Sequence, residues 1–196
     1  SFSGKKVADQ MMTYDIETTT LNKDLNIMYI WMLCFNGEFV VYGRTWEDYK
    51  KLNDILQEKS KGLKVICYVH NLSYEFQYLR GIFEFTEDNV FCMKSRKVAR
   101  AKMGNIEYRC SYYLSNKSLD SWCKELDVPH KKLSGQEFDY SKVRYPNTPL
   151  TIKEMQYAMV DVIGLYEWIV RTLEMYEDTY LTIPMTSTGF VRRDSK

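Results

Sequence analysis

Three observations predict a single α/β domain. Its 196 residues match one large domain. Short apolar stretches of strand character alternate with segments of helical period, the order expected when helices pack on a sheet. Hydrophobic residues at 45%, aromatics at 15% and charges at 27% supply a core and exclude a disordered chain.

Taken in order, residues 11–16 and 27–35 read as strands, and 38–42 as a third after Asn36-Gly37, the turn pair of a hairpin. Thr45 followed three residues later by Asp48 opens a helix, in which Trp46, Tyr49, Leu52 and Leu56 recur until Ser60 and Gly62. Residues 64–69 form a short apolar strand, 73–81 a helix and 89–95 another strand. A second hairpin spans 98–103 and 106–111 about Gly104-Asn105. Residues 118–126 read as helix, and 127–150, with Pro129, Gly135, Pro146 and Pro149, as a long irregular connection of the kind that often carries function. Thr151 and Glu154 make a capping box before the longest helical pattern, Met155, Met159, Val162, Ile163, Tyr166, Ile169, Val170 and Leu173. Past Tyr176 the pattern dissolves into a polar end, which is expected of the N-terminal piece of a longer protein; residues 1–196 are read as one domain without repeats.

Composition also bounds function. With 27 basic and 26 acidic residues the formal net charge is +1, so a nucleic-acid partner would be held by a local patch. The longest uninterrupted apolar run is residues 27–35, well short of the roughly 20 residues that span a bilayer, so no membrane role is expected. No secretory leader pattern opens the chain. The cysteines Cys34, Cys67, Cys92, Cys110 and Cys123 are odd in number and lack CxxC spacing, which predicts reduced thiols and a cytoplasmic setting.

Three segments carry candidate chemistry. Asp15 and Glu17 stand two apart on a strand and so face the same way, either as solvated edge acids or as a pair that a cation neutralises. His70, Asn71, Ser73, Tyr74 and Glu75 sit at a strand-to-helix junction, where Glu75 complements the helix dipole in one reading and joins a site in the other. Tyr157 and Asp161 are four apart on the long helix, on one face and amid apolar neighbours. A basic run, Lys94, Arg96, Lys97, Arg100 and Lys102, reads equally as a solvated hairpin face or as a nucleic-acid groove.

In combination and order, Asp15-x-Glu17, His70-Asn71-x-x-Tyr74-Glu75 and Tyr157-x-x-x-Asp161 resemble the three exonuclease motifs of family B DNA polymerases. The similarity extends to the protein-primed polymerases of small tailed bacteriophages, through the Leu133-x-Gly135 and Asp139-Tyr140-x-Lys142 run, and covers about residues 11–174. It implies a ribonuclease H-like exonuclease fold, a central mixed β-sheet flanked by helices, of the tyrosine type with four acids. The histidine type would place His where Gln156 stands.

The implied activity is proofreading: metal-dependent removal of nucleotides from the 3′ end of single-stranded DNA, with the polymerase domain following in the same chain. Two Mg²⁺ or Mn²⁺ ions are implied, with Asp15, Glu17, Glu75 and Asp161 as ligands and Tyr157 orienting the attacking water. Lys132, or Lys131, is implied at the scissile phosphate; Thr18, His70, Asn71, Tyr74 and Ser111, or Ser115, at the DNA. Glu75 departs from the Asp usual in that motif, and its extra methylene opens a second reading: a weak or inactive module that binds single-stranded DNA or braces a polymerase.

Overall fold

Seven strands form one mixed sheet in the computed structural model, which describes residues 6–93, 96–111 and 138–175. They are β1 (Lys6–Asn22), β2 (Leu25–Phe35), β3 (Phe39–Gly43), β4 (Leu63–Val69), β5 (Val90–Cys92), β6 (Val98–Met103) and β7 (Ile106–Cys110). Across the sheet the order is β3-β2-β1-β4-β7-β6-β5. The three strands β1, β4 and β7 run parallel at the centre, and antiparallel neighbours complete both sides. Helices α1 (Trp46–Lys59) and α2 (Leu72–Ile82) cover one face, and α3 (Ile152–Met175) covers the other over β1 and β2.

Strand alternation sorts the core. On β1, Met12, Tyr14 and Ile16 face α1 and α2, where they pack with Trp31, Tyr49, Val69, Leu72 and Tyr108. On β2, Ile30, Met32 and Cys34 face Ala158 and Val162 of α3. The turn signals hold: Asn36 and Gly37 both take positive φ, 52° and 72°, as the hairpin requires. So do the caps, since Thr45 Oγ1 accepts from Asp48 N at 3.2 Å, and Thr151 and Glu154 exchange bonds of 3.0 and 3.1 Å.

Several expectations need correction. Strand β1 is 17 residues long rather than the six at 11–16, because β2 pairs it as far as Asn22↔Leu25 while Lys6 and Val7 pair β4 across an irregularity. Strand β5 is shorter than 89–95: Glu87–Asn89 is a 3₁₀ turn, and the hairpin closes where Arg96 N donates to Met93 O at 2.8 Å. Cys34, Cys67 and Cys110 are buried free thiols as expected, but Cys92 is exposed. The expected helix at 118–126 and the residues Lys94, Ser115, Cys123, Lys131 and Lys132 lie outside the described residues. Residues 138–150 contain no helix or strand, in keeping with the irregular connection. No described helix is long and apolar enough to cross a membrane.

Candidate active site

The acids meet where the parallel pairing of β1 with β4 ends, at Tyr14↔Val69. Alternation on β1 turns Asp15 and Glu17 away from the α1/α2 core and toward α3. The register of α3 on the sheet is pinned by Thr13 Oγ1, which donates to Val162 O at 2.8 Å and so brings the adjacent Asp161 beside them. One ligand oxygen from each of Asp15, Glu17 and Asp161 lies within 4.8 Å of the others. Asp161 is 4% exposed, so it is an acid of the interior, in keeping with its apolar neighbours on the helix. Three carboxylates this close repel one another strongly unless protons or a cation intervene, and an all-oxygen donor set suits a hard divalent ion. The donor set therefore fits Mg²⁺ or Mn²⁺.

Glu75 comes from the other side. At the end of β4 the chain turns through Asn71, which holds φ 56° and makes no side-chain cap. The turn leaves Ile16 N without a β4 partner, and Glu75 Oε1 accepts from it at 3.2 Å. Glu75 is 2% exposed; burial first, then the neighbouring Asp15 carboxylate, push its carboxyl well above the usual carboxylate range. Glu75 does stand in the first turn of α2, as an acid complementing the helix dipole would, but it is buried against Asp15. Two acids in contact need a proton or a cation between them, yet Glu75 stands outside the cluster that Asp15, Glu17 and Asp161 form.

Tyr157 lies one helical turn before Asp161 and is buried. Its ring stacks on Phe138 with centroids 4.0 Å apart, and its hydroxyl is hydrogen-bonded to that of Tyr140, which is 58% exposed. The segment 138–150 thus meets the site directly. Its anchor is Arg144: Nε donates to Glu154 Oε2, Nη1 to Asp139 O at 3.0 Å, the backbone N–H to Thr19 Oγ1 at 2.8 Å, and the guanidinium lies 4.4 Å from the Phe138 ring centroid. Sequence reasoning passed over Arg144 and over the pairing of Tyr140 with Tyr157; the Asp139-Tyr140-x-Lys142 run was the available signal.

Of the residues expected at DNA, Thr18 and Tyr74 share a hydroxyl bond of 2.7 Å on the α2 side, and Tyr74 reaches Tyr78 at 3.2 Å. Asn71 is exposed and His70 half-buried. Ser111 is fully buried, with Oγ 3.3 Å from His70 Nδ1 and 3.4 Å from Val69 O, so it supports His70 from within the fold. In the basic run Arg96, Lys97 and Arg100 are exposed, and Arg100 also pairs with buried Glu107 at 3.7 Å.

No protein-family model and no curated protein matches this chain. Among solved structures it resembles phi29 DNA polymerase complexed with single-stranded DNA, with a TM-score of 0.71 at 14% identity over 94% of this chain and 34% of that one. Phi29 DNA polymerase complexed with primer-template DNA and incoming nucleotide substrates gives the same TM-score and identity over 33% of its chain. An orthorhombic crystal form of the same polymerase gives 0.68 at 15% identity. The chain spans about a third of the length of the polymerase chains it matches. Sheet order, helix placement and this likeness establish a ribonuclease H-like α/β fold shared with part of a phage DNA polymerase.

Proposed function

We propose that this domain is a metal-dependent 3′ to 5′ exonuclease acting on single-stranded DNA, the proofreading unit of a family B replicative polymerase. The observation that carries the reading is the meeting of Asp15, Glu17 and Asp161, from β1 and α3, within 4.8 Å beside a buried tyrosine. The fold of a polymerase seen with single-stranded DNA supports it. Asp15, Glu17 and Asp161 would hold Mg²⁺ or Mn²⁺, with Glu75 at the Asp15 side. When bound, such ions supply an acidified water and offset charge on the leaving 3′ oxygen.

The chain's own residues do the rest. The Tyr157 hydroxyl, held by Tyr140, orients the attacking water. Thr18, Asn71, Tyr74 and His70 receive the 3′ terminus, where stacking on an aromatic accepts any base at about 1 to 3 kcal/mol. Lys132 contacts the scissile phosphate, the polymerase domain follows in the same chain, and the setting is the cytoplasm.

The test is digestion of a 5′-labelled single-stranded oligonucleotide with Mg²⁺, Mn²⁺ or EDTA, beside a 3′-blocked control. A shortening ladder that needs metal and a free 3′ end is expected; an intact strand in every lane would overturn the reading. Tyr157→Phe is expected to slow cleavage about 10²-fold with the metal requirement unchanged, since it removes water orientation and leaves the acids in place. A rate equal to wild type would remove Tyr157 from the mechanism.

A second reading, an inactive module that binds DNA, is favoured by one observation: Glu75 spends an oxygen on Ile16 N and stands outside the three-acid cluster. Glu75→Asp separates the two. If Glu75 works where it is, the shorter side chain loses Ile16 and digestion falls about 10- to 100-fold. A gain of digestion would show that the glutamate blocks the site.

A further inference from the structure

An aromatic strip leads away from the acids along α2. Tyr74 and Tyr78 stand four residues apart and so share one side of that helix, and Gly81 continues the same side in its last turn. The Tyr74 hydroxyl is 2.7 Å from Oγ1 of Thr18, the residue after Glu17, and 3.2 Å from the Tyr78 hydroxyl. The Tyr74 and Tyr78 ring centroids lie 5.5 Å apart, edge to face. Tyr78 in turn lies 6.1 Å from Trp46, the first residue of α1, with the two rings inclined by 28°. Trp46 and Tyr78 pack against the core beneath them and, like Tyr74, keep part of their surface in solvent.

Core packing alone does not account for this strip. Aromatics that serve only the core of this face are buried outright, as Tyr14, Tyr49 and Tyr108 are. Gly81 is a second, independent mark. A Cβ added there would meet nothing within 4 Å, and its φ lies outside the left-handed region, so neither packing nor backbone conformation calls for glycine. Glycine weakens a helix relative to alanine, and what it offers in return is a bare surface that a ligand can approach closely. A row of partly open rings is the means by which proteins hold single strands without reading sequence, because every base has a π-face. From Tyr74 to Gly81 the helix advances about 10 Å at about 1.5 Å per residue, room for about three nucleotides at about 3.4 Å each.

We propose that Tyr78 and Trp46 form a further binding site for the DNA strand: the bases on the 5′ side of the terminal nucleotide stack along these two rings and pass over the bare surface at Gly81. This rests on the exonuclease reading and carries it from the terminal nucleotide, received at Thr18 and Tyr74, to the strand behind it. The contact is with ring faces, so it holds a single strand of any sequence and has no purchase on paired bases.

Steady-state digestion of a dinucleotide, too short to pass Tyr74, is compared with that of a ten-nucleotide strand for wild type, Trp46→Leu, Tyr78→Leu, Tyr78→Phe and Gly81→Gln, with a thermal melt of each. The two leucine variants are expected to raise KM for the ten-nucleotide strand at least about fivefold and for the dinucleotide less than about twofold, while Tyr78→Phe, which keeps the ring, stays within about twofold of wild type on both. Gly81→Gln has space for its side chain and is expected to melt at or above wild type while still raising KM for the longer strand. Trp31 and Trp168 are only 2% and 4% exposed, so quenching of tryptophan emission by a ten-nucleotide thymidine strand in EDTA, lost in Trp46→Leu, reports the stacking itself. Equal rises in KM at both lengths would make the rings a brace for the terminal site, an unaltered KM would leave them as the fringe of the core or the seat of another partner, and Tyr78→Phe as impaired as Tyr78→Leu would assign the effect to the hydroxyl; each overturns the proposal. Should the leucine variants melt low, Gly81→Gln decides, and wild-type KM in that variant overturns it. Wild type that digests neither strand ends the exonuclease reading and this site with it; wild-type digestion with unaltered variants refutes this site alone.

Discussion

Asp15→Ala and Asp161→Ala each reduce single-strand digestion by at least about 10³-fold while the protein remains folded. Both carboxylates belong to the cluster within 4.8 Å, and each approaches from a different element, one on β1 and one on α3. Deleting either removes a third of the donors that can hold a cation. The same deletion relieves repulsion in the metal-free protein, where Asp15 also presses on Glu75. Melting at or above the wild-type temperature is therefore expected in EDTA. Circular dichroism melts and the oligonucleotide assay on the same preparations check both halves. Digestion that survives either substitution sinks the assignment, and activity lost only through unfolding would reduce the acids to structural groups.

Glu154→Gln and Arg144→Ala have the largest expected effect on stability, about 3 kcal/mol each. Arg144 and Glu154 are 3% and 8% exposed, so removing one partner leaves the other desolvated without its counterpart. For a chain of this length the loss corresponds to a fall in Tm of roughly 6 to 12 °C. Glu154 further gathers Lys142 Nζ at 3.3 Å and the Thr151 N–H at 3.0 Å. Burial alone would raise its carboxyl; Arg144, the Thr151 N–H and Lys142 outweigh burial and hold it down at about 2.

The sign of the pH dependence follows. A carboxyl depressed in the folded state binds its proton less readily there than in the unfolded chain, so it stabilises the fold above its ordinary value of 4.5 and loses that contribution as pH falls toward 2. The gap in stability between wild type and Glu154→Gln is constant above pH 4.5 and closes below it. Urea unfolding at pH 2.5, 4 and 7 measures the gap, and one that did not change with pH would refute the ion pair. Because Arg144 also carries Phe138 and the chain leading to Tyr140, Arg144→Ala is expected to slow digestion well below its melting temperature.

Local chemistry made much of this legible. Thr45 with Asp48 and Thr151 with Glu154 announced two helix starts, because capping bonds span three residues. Asn36-Gly37 announced a hairpin, because few other pairs tolerate two positive φ angles. Spacing also put Asp15 with Glu17 on one side of a strand and Tyr157 with Asp161 on one side of a helix, since periods of 2 and 3.6 hold wherever the element forms.

What spacing could not settle was decided across the sheet. The 17-residue length of β1 depends on pairing with both β2 and the distant β4, and local propensity stops at Glu17, which follows Ile16. Glu75 had two readings at the helix start, and only the lost β4 partner of Ile16 N turned it inward. Tyr29 faces α3 because of a one-residue register shift against β1, which the uninterrupted apolar run of residues 27–35 does not announce. The sequence by itself determined which acids and hydroxyls exist and which pairs share a side, because those depend on backbone period alone. Only the tertiary structure decided that Asp15, Glu17 and Asp161 meet and that Tyr140 and Phe138, the latter held under Arg144, close around Tyr157, because contacts between distant residues depend on register and packing.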